Sequence, residues 1–265
     1  MFTGAHDDGE AALSDESLLG RVALITGSAV GIGRAAALAL GRAGAFIGLH
    51  YHTSQAEAEQ TLADLRQQGA DGVLLQADLS REAEAERVVD ELAARAGRLD
   101  VLFNNAGSVL RRSRIEECPS ELWKQAFDVN VHGAFYVTRR AIPHLRRGGR
   151  GSVINNLSLS VQTGGAGGAG PYAAAKGALQ VFTRTLAREL APEVRVNAIM
   201  PGVIETRHHQ QFSTPERMEE YRRQTPLERN GTAEEVAAAV LFLAGDAAGF
   251  LTGAILDING GRFLR

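Results

Sequence analysis

The chain alternates short apolar runs with longer stretches in which alanine and leucine recur at helical spacing. Seven runs predict strands: Val22–Thr26, Phe46–His50, Gly72–Gln76, Val101–Asn104, Ser152–Leu157, Arg195–Ile199 and Ala254–Ile258. Most are apolar at nearly every position, as expected of parallel strands covered on both faces. Helices fall between them. One spans about Ile32 to Ala43 and stops at Gly44. Ser54 and Glu57 predict a capping box for the next, which ends before Gly69. Ser80 is the expected cap of a third, and Pro119 suits the first position of a fourth, with Cys118 before it and Glu121 in the box position. A fifth runs from about Tyr172 to Leu190, and Thr232 with Glu235 boxes a sixth.

This alternation predicts a single doubly wound α/β domain of Rossmann type over residues 20–265, a seven-stranded parallel sheet flanked by helices on both faces. Neither an internal repeat nor a second hydrophobic core interrupts it. Residues 1–19 are acidic and rich in small residues, and are expected to be a flexible extension. The least regular long stretch runs from Gly202 to Asn230. Within it, Glu205 to Arg229 is polar and follows a strand end, so a lid that orders only around ligands is expected.

Composition narrows the class. Hydrophobic residues make up 45% and charged residues 22%, the balance of a soluble globular protein. A net charge of −3 gives no reason to expect nucleic acid or an anionic membrane as partner, and no apolar run reaches membrane-helix length. The N-terminus lacks the basic region and apolar core of a signal peptide, and Cys118 is the sole cysteine; both favour the cytoplasm. His208 and His209 are adjacent, but no carboxylate or cysteine stands at ligand spacing, so no metal site is expected.

Two stretches carry candidate chemistry. The first strand leads into Gly27-Ser28-Ala29-Val30-Gly31-Ile32-Gly33 and then a helix. A glycine-rich strand–helix turn brings backbone N–H groups and a helix N-terminus to a pyrophosphate, although the same turn can also form with no ligand. Tyr172 and Lys176, four residues apart on a predicted helix, share a face. A free phenol titrates near pH 10, and a neighbouring ammonium lowers that value, which would poise Tyr172 to exchange the proton that accompanies hydride transfer. Ser158 ends the Val153–Leu157 run, and Asn130 lies on the predicted fourth helix. Taken singly, each has a plainer explanation: a surface pair, a turn former, a helix asparagine bonded to backbone.

Together they resemble the short-chain dehydrogenase/reductase family, nearest to the 3-oxoacyl-carrier-protein reductases and the sugar and alcohol dehydrogenases around them. The matching pieces, in family order, are Thr26-Gly27-x-x-x-Gly31-Ile32-Gly33, Asn104-Asn105-Ala106-Gly107, Asn130, Ser158, Tyr172-x-x-x-Lys176, Pro201-Gly202 and the tail Leu251-Thr252-Gly253 to Gly260-Gly261. The resemblance implies an enzyme that moves hydride between a nicotinamide and an alcohol or ketone. It implies Tyr172 as acid/base, Lys176 as modulator of its pKa and ribose ligand, Ser158 as orienter of the substrate oxygen, and Asn130 as holder of a relay water. It also implies cofactor contacts from Gly27, Ile32 and Gly33 at the phosphates, and Asp78 with Leu79 at the adenine. Asn104, Ala106 and Gly107 would border the cofactor, and Pro201, Gly202, Ile204 and Thr206 would lie at the carboxamide. A homotetramer is the implied assembly.

The chain departs from the family in three places. Fourteen positions separate Ser158 from Tyr172, one more than usual, with a glycine-rich loop to absorb the difference; Ser160 is the rival serine. Asn259 stands where the family usually has aspartate, and the extension before residue 20 has no counterpart role.

The second strand ends in Tyr51-His52-Thr53-Ser54 with no carboxylate to repel a 2′-phosphate, so NADP is expected in preference to NAD. That string also resembles NADPH-using pteridine reductases, which carry arginine at the place of Thr53 and aspartate at the place of Ser158. Arg111, Arg112 and Arg114 could face an anionic substrate, but a solvated basic loop is the simpler expectation. Two rivals share the sheet: a non-catalytic dinucleotide-binding regulator, which has no need of Ser158, Tyr172 and Lys176 together, and a methyltransferase, which would leave Tyr172-x-x-x-Lys176 unexplained.

Overall fold

A computed structural model describes residues 17–165, 167–206 and 213–264. Seven strands form one parallel sheet: β1 (Val22–Ile25), β2 (Phe46–Tyr51), β3 (Gly72–Gln76), β4 (Val101–Asn104), β5 (Gly151–Asn156), β6 (Val194–Pro201) and β7 (Ile255–Ile258). Their order is β3-β2-β1-β4-β5-β6-β7. The chain winds outward in one direction from β1 and in the other from β4. The crevice between the carboxyl ends of these two strands is therefore the ligand position of such a sheet.

Strand alternation divides the core into two layers. Ala23, Ile25, Val101 and Phe103 face one side, where they bury against α1 (Gly31–Arg42) and a helix near the C-terminus, Ala233–Ala244. Leu24, Leu102 and Val153 face the other, against α3 (Glu82–Ala96), α5 (Gly133–Arg147) and α7 (Gly170–Glu189). α2 (Gln55–Gln67) covers the outer strands. The remaining helices are α4 (Ser120–Phe127), α6 (Ser160–Thr163), α8 (Pro215–Arg223) and α9, the helix Ala233–Ala244. None is long and apolar enough to cross a membrane among the described residues.

The expected capping chemistry holds at one end and fails at others. Thr232 and Glu235 form the reciprocal box of α9. Ser54 occupies the N-cap of α2, but its side chain makes no cap bond. Ser80 is not the cap of α3: its hydroxyl donates to Asp78 Oδ1 at 2.7 Å, and Arg81 takes the cap position with extended backbone. Pro119 stands at the N-cap of α4 instead of inside its first turn. The expected fourth helix is two helices, α4 and α5, joined by a π-helical turn over Asp128–His132 that contains Asn130. Of the expected lid, residues 207–212, including His208 and His209, lie outside the described residues; α8 and the turn after it form the rest.

Candidate active site

The strand ends are locked by amide side chains. Asn105, just past β4, donates from Nδ2 to the carbonyls of Thr26 (2.9 Å) and Gly27 (3.0 Å). Its Oδ1 accepts from Asn156 Nδ2 at 2.9 Å, so the ends of β1, β4 and β5 form one unit. Asn156 in turn offers its carbonyl to Lys176 Nζ at 2.7 Å. Asn104, expected to border the cofactor, points instead into the core, where Nδ2 donates to Thr138 Oγ1 and Asn155 Oδ1, each at 2.9 Å.

This unit borders a cleft of about 1270 Å³ that holds most of the expected residues: Gly27, Ile32, His52, Thr53, Ser54, Ala106, Gly107, Ser158, Tyr172, Lys176, Pro201, Gly202, Ile204 and Thr206. Gly33 is buried behind the turn, because a Cβ there would stand 2.2 Å from the Gly27 carbonyl oxygen. Tyr51 is buried against Ala29 and Ala58, and Leu79 packs on Gly133, so both support the site from beneath and do not line the cleft. Asp78 lines an adjoining recess with His52, Gln76, Arg81 and Arg87. Burial would raise its carboxyl, but two bonds from Ser80 and the charges of His52 and Arg81 outweigh this and hold it below the usual range.

The reacting groups meet at the end of β5. Ser158 lies beside Tyr172 on the cleft wall, and Ser160, the rival serine, donates from Oγ to Ser158 Oγ at 2.8 Å. The rival therefore orients the residue it might have replaced. Burial pushes the Tyr172 phenol above its ordinary value, and the neighbouring Ser158 hydroxyl draws it partly back. The Lys176 ammonium turns to Asn156 and lies 5.8 Å from the Tyr172 ring centroid. Lys176 itself is 2% exposed, and burial pushes it down to about 8. Asn130 spends both amide hydrogens on the carbonyls of Ser108 and Ala126, at 2.9 Å each, and its Oδ1 accepts from Ser108 N–H at 3.0 Å. It pins the loop after β4, and its Oδ1 and Lys176 Nζ both border the space over Gly107, where a Cβ would meet them at 2.6 and 3.1 Å.

His50 supports the site without any motif to mark it. Nδ1 accepts the Gly27 N–H at 3.0 Å, and the opposite nitrogen meets the Ala77 carbonyl at 3.1 Å, so Nε2 carries the proton. The Gly27 amide thus faces inward, leaving the first-turn amides of α1, at Gly31 to Gly33, to meet an anion in the cleft. A histidine inside an otherwise apolar strand was the available signal.

Comparison with known proteins agrees with this architecture. The family model described as enoyl-(acyl carrier protein) reductase matches residues 27–262. A protein of the Streptomyces violaceoruber granaticin polyketide synthase, named for ketoacyl reduction, is 40% identical over 92% of this chain and 96% of its own. Glucose 1-dehydrogenase 2 of Bacillus subtilis is 33% identical over 94% and 97%. Among solved structures, an NADH-dependent reductase responsible for alginate metabolism has a TM-score of 0.86 and 36% identity, over 94% of this chain and all of that one. The same reductase in complex with NAD has a TM-score of 0.85 and 35% identity over 95% and 100%.

The chain belongs to the short-chain dehydrogenase/reductase family. It is an oxidoreductase acting between CH–OH and C=O groups with a nicotinamide dinucleotide.

His50 has a consequence for acid stability. It is 3% exposed and pushed down to about 4, mainly by burial, with the charges of His52 and Asp78 acting in opposite senses. The unfolded chain takes up this proton near pH 6.5 and the folded chain only near 4, so stability is full above 6.5 and falls as pH drops to 4, by about 3 kcal/mol. Urea unfolding of wild type and His50→Gln at pH 7 and 4.5 checks this. The variant is expected to show the smaller acid loss; equal losses would remove His50 as the cause.

Proposed function

We propose that the protein interconverts a small-molecule alcohol and ketone, with Ser158, Tyr172, Lys176 and Asn130 as its working set. The observation that carries this is the meeting of Ser158, Tyr172 and buried Lys176 on the wall of one cleft. When bound, the nicotinamide supplies or accepts the hydride. Ser158 and Tyr172 place the substrate oxygen, and Tyr172 gives or takes the hydroxyl proton. Lys176, held by the Asn156 carbonyl, presents a cation beside the phenol and toward a ribose. Asn130 sets the height of the Ser108 loop over that pair. Tyr172→Phe removes only the hydroxyl and should lower kcat by about a hundredfold or more while cofactor affinity stays near wild type. Wild-type turnover in a carbonyl-reduction assay would refute the assignment.

For the cofactor we propose NADP over NAD. The supporting features are the exposed His52 and Thr53 before α2, where no carboxylate ends the strand; in the adjoining recess Arg81 is paired with Asp78 and Glu84, and Arg87 with Glu91. The similarity to an NADH-dependent reductase makes NAD the alternative. Parallel fluorescence titrations should show tighter binding of NADPH than NADH, and an equal or inverted order would assign NAD.

The assembly we propose is a homotetramer. Large apolar side chains are exposed on α4, α5 and α7, at Trp123, Phe135 and Val181, and before β7, at Phe250, among other places. Exposed apolar positions on separate elements suit contacts with further copies of the chain, and the family resemblance supplies the dihedral arrangement. Light scattering at micromolar concentration should report four chains, and a monomer would contradict the proposal.

A further inference from the structure

The end of the cleft beyond Ser158 and Tyr172 is built from loops that follow four different strands. Arg112 comes from the loop after β4, Arg217 from α8, which follows β6, and Arg262 from the tail after β7. The glycine-rich loop after β5 lies against them: Arg112 Nη1 donates to the Gly167 carbonyl at 3.2 Å, and the Arg217 guanidinium fills the place of a Gly167 side chain.

These three guanidiniums converge on one residue, Tyr221. Arg217 Nε donates to its hydroxyl at 2.6 Å, Arg112 hydrogen-bonds it as well, and Arg262 stacks with its guanidinium carbon 4.4 Å from the ring centroid. Like charges gathered in this way repel, and burial adds to the cost: Arg112 and Arg262 both sit below the usual arginine range, first because of burial, with the charge of Arg217 adding to it. Two carboxylates also line this end. Glu216 is turned to its own backbone and to Thr214 at the start of α8, and Glu220 accepts from Gln224 Nε2 at 3.0 Å. Among the described residues, three guanidiniums and two carboxylates therefore line this end of the cleft. The expectation of a solvated basic loop is thus corrected for Arg112, although Arg111 is exposed and Arg114 pairs with Glu116 at 2.7 Å.

We propose that Arg112, Arg217 and Arg262 form a carboxylate subsite, so that the substrate is a small hydrophilic hydroxy or oxo acid. Its reacting carbon lies at Ser158 and Tyr172 and its carboxylate at the arginines. The proposal deepens the oxidoreductase assignment and rests on it for the reacting end alone. Guanidinium forks match a carboxylate in geometry. Thr163, Thr214 and Gln224 line the cleft as well, beside Val109 and Leu159, and Gln224 Oε1 accepts from Arg262 Nη2 at 2.7 Å.

D-Gluconate and D-glucitol, which differ only in a carboxylate against a hydroxymethyl, are suitable probes. Calorimetric titration of the NADPH-loaded protein, a dead-end complex with either alcohol, reads binding without turnover. Gluconate should bind at least about tenfold more tightly than glucitol, as expected for charge-assisted hydrogen bonds, and more weakly as salt rises. Arg112→Gln and Arg262→Gln should each bring that ratio toward one, with Arg262→Lys retaining part of it. Circular dichroism identifies a misfolded variant, which leaves the other to decide. Equal affinities in wild type, absence of binding by both probes, or a ratio that survives both substitutions would overturn the proposal. Tighter binding of D-glucitol 6-phosphate than of gluconate would replace the carboxylate by a phosphate. Tyr172→Phe should retain the gluconate preference, so failure of the anion subsite and failure of the catalytic assignment are separable.

Discussion

The site depends on the amide of Asn105 more than on any single catalytic group. Its Nδ2 holds the carbonyls of Thr26 and Gly27, and its Oδ1 holds Asn156, whose own carbonyl fixes Lys176. The glycine turn, the loop after β4 and the catalytic end of α7 therefore share one chain of hydrogen bonds. Such bonds are costly to leave half-made in a buried setting, which holds three strand ends in a single arrangement. The deeper pairing of Asn104 with Thr138 and Asn155, and of Asn155 with Thr183, extends the lattice to α5 and α7.

Around this lattice, supporting residues set the positions of groups that face the cleft. His50 turns the Gly27 amide inward, Ser160 orients Ser158, and Asn130 anchors the Ser108 loop from a π turn. A π turn widens the helix locally, and insertions of this kind are frequent at functional sites. Here it breaks what would otherwise be one long helix at the point where a side chain must reach across to another loop. Buried Lys176 donates to the Asn156 carbonyl, and its nitrogen stays close to the phenol ring without bonding to the hydroxyl.

Much of this was legible before any coordinates. Strand runs of near-continuous apolar character marked the parallel sheet, and their observed bounds differ by a residue or two because hydrogen-bond pairing, not hydrophobicity, ends a strand. Tyr172 and Lys176 were readable because four residues is one helical turn. Capping was less reliable at Ser80, whose hydroxyl found a nearer acceptor in Asp78. Tyr51, Leu79, Gly33 and Asn104 lie in the expected neighbourhood but face away from the cleft. Motif spacing places a residue along the chain, whereas its direction follows from the pleat and from packing.

The sequence by itself determined the sheet, the glycine turn and the Ser158, Tyr172 and Lys176 constellation, because each is written in local periodicity or in a short motif. Only the tertiary structure decided that Arg112, Arg217 and Arg262 meet at Tyr221, that His50 serves Gly27, and that Lys176 bonds to Asn156 and not to Tyr172. Apart from Arg217 and Tyr221, which lie one turn apart on α8, those contacts join residues 20 to 109 positions apart. They exist because several strands end at the same edge of one sheet and send their loops into the same space, and local sequence preferences carry no record of that meeting.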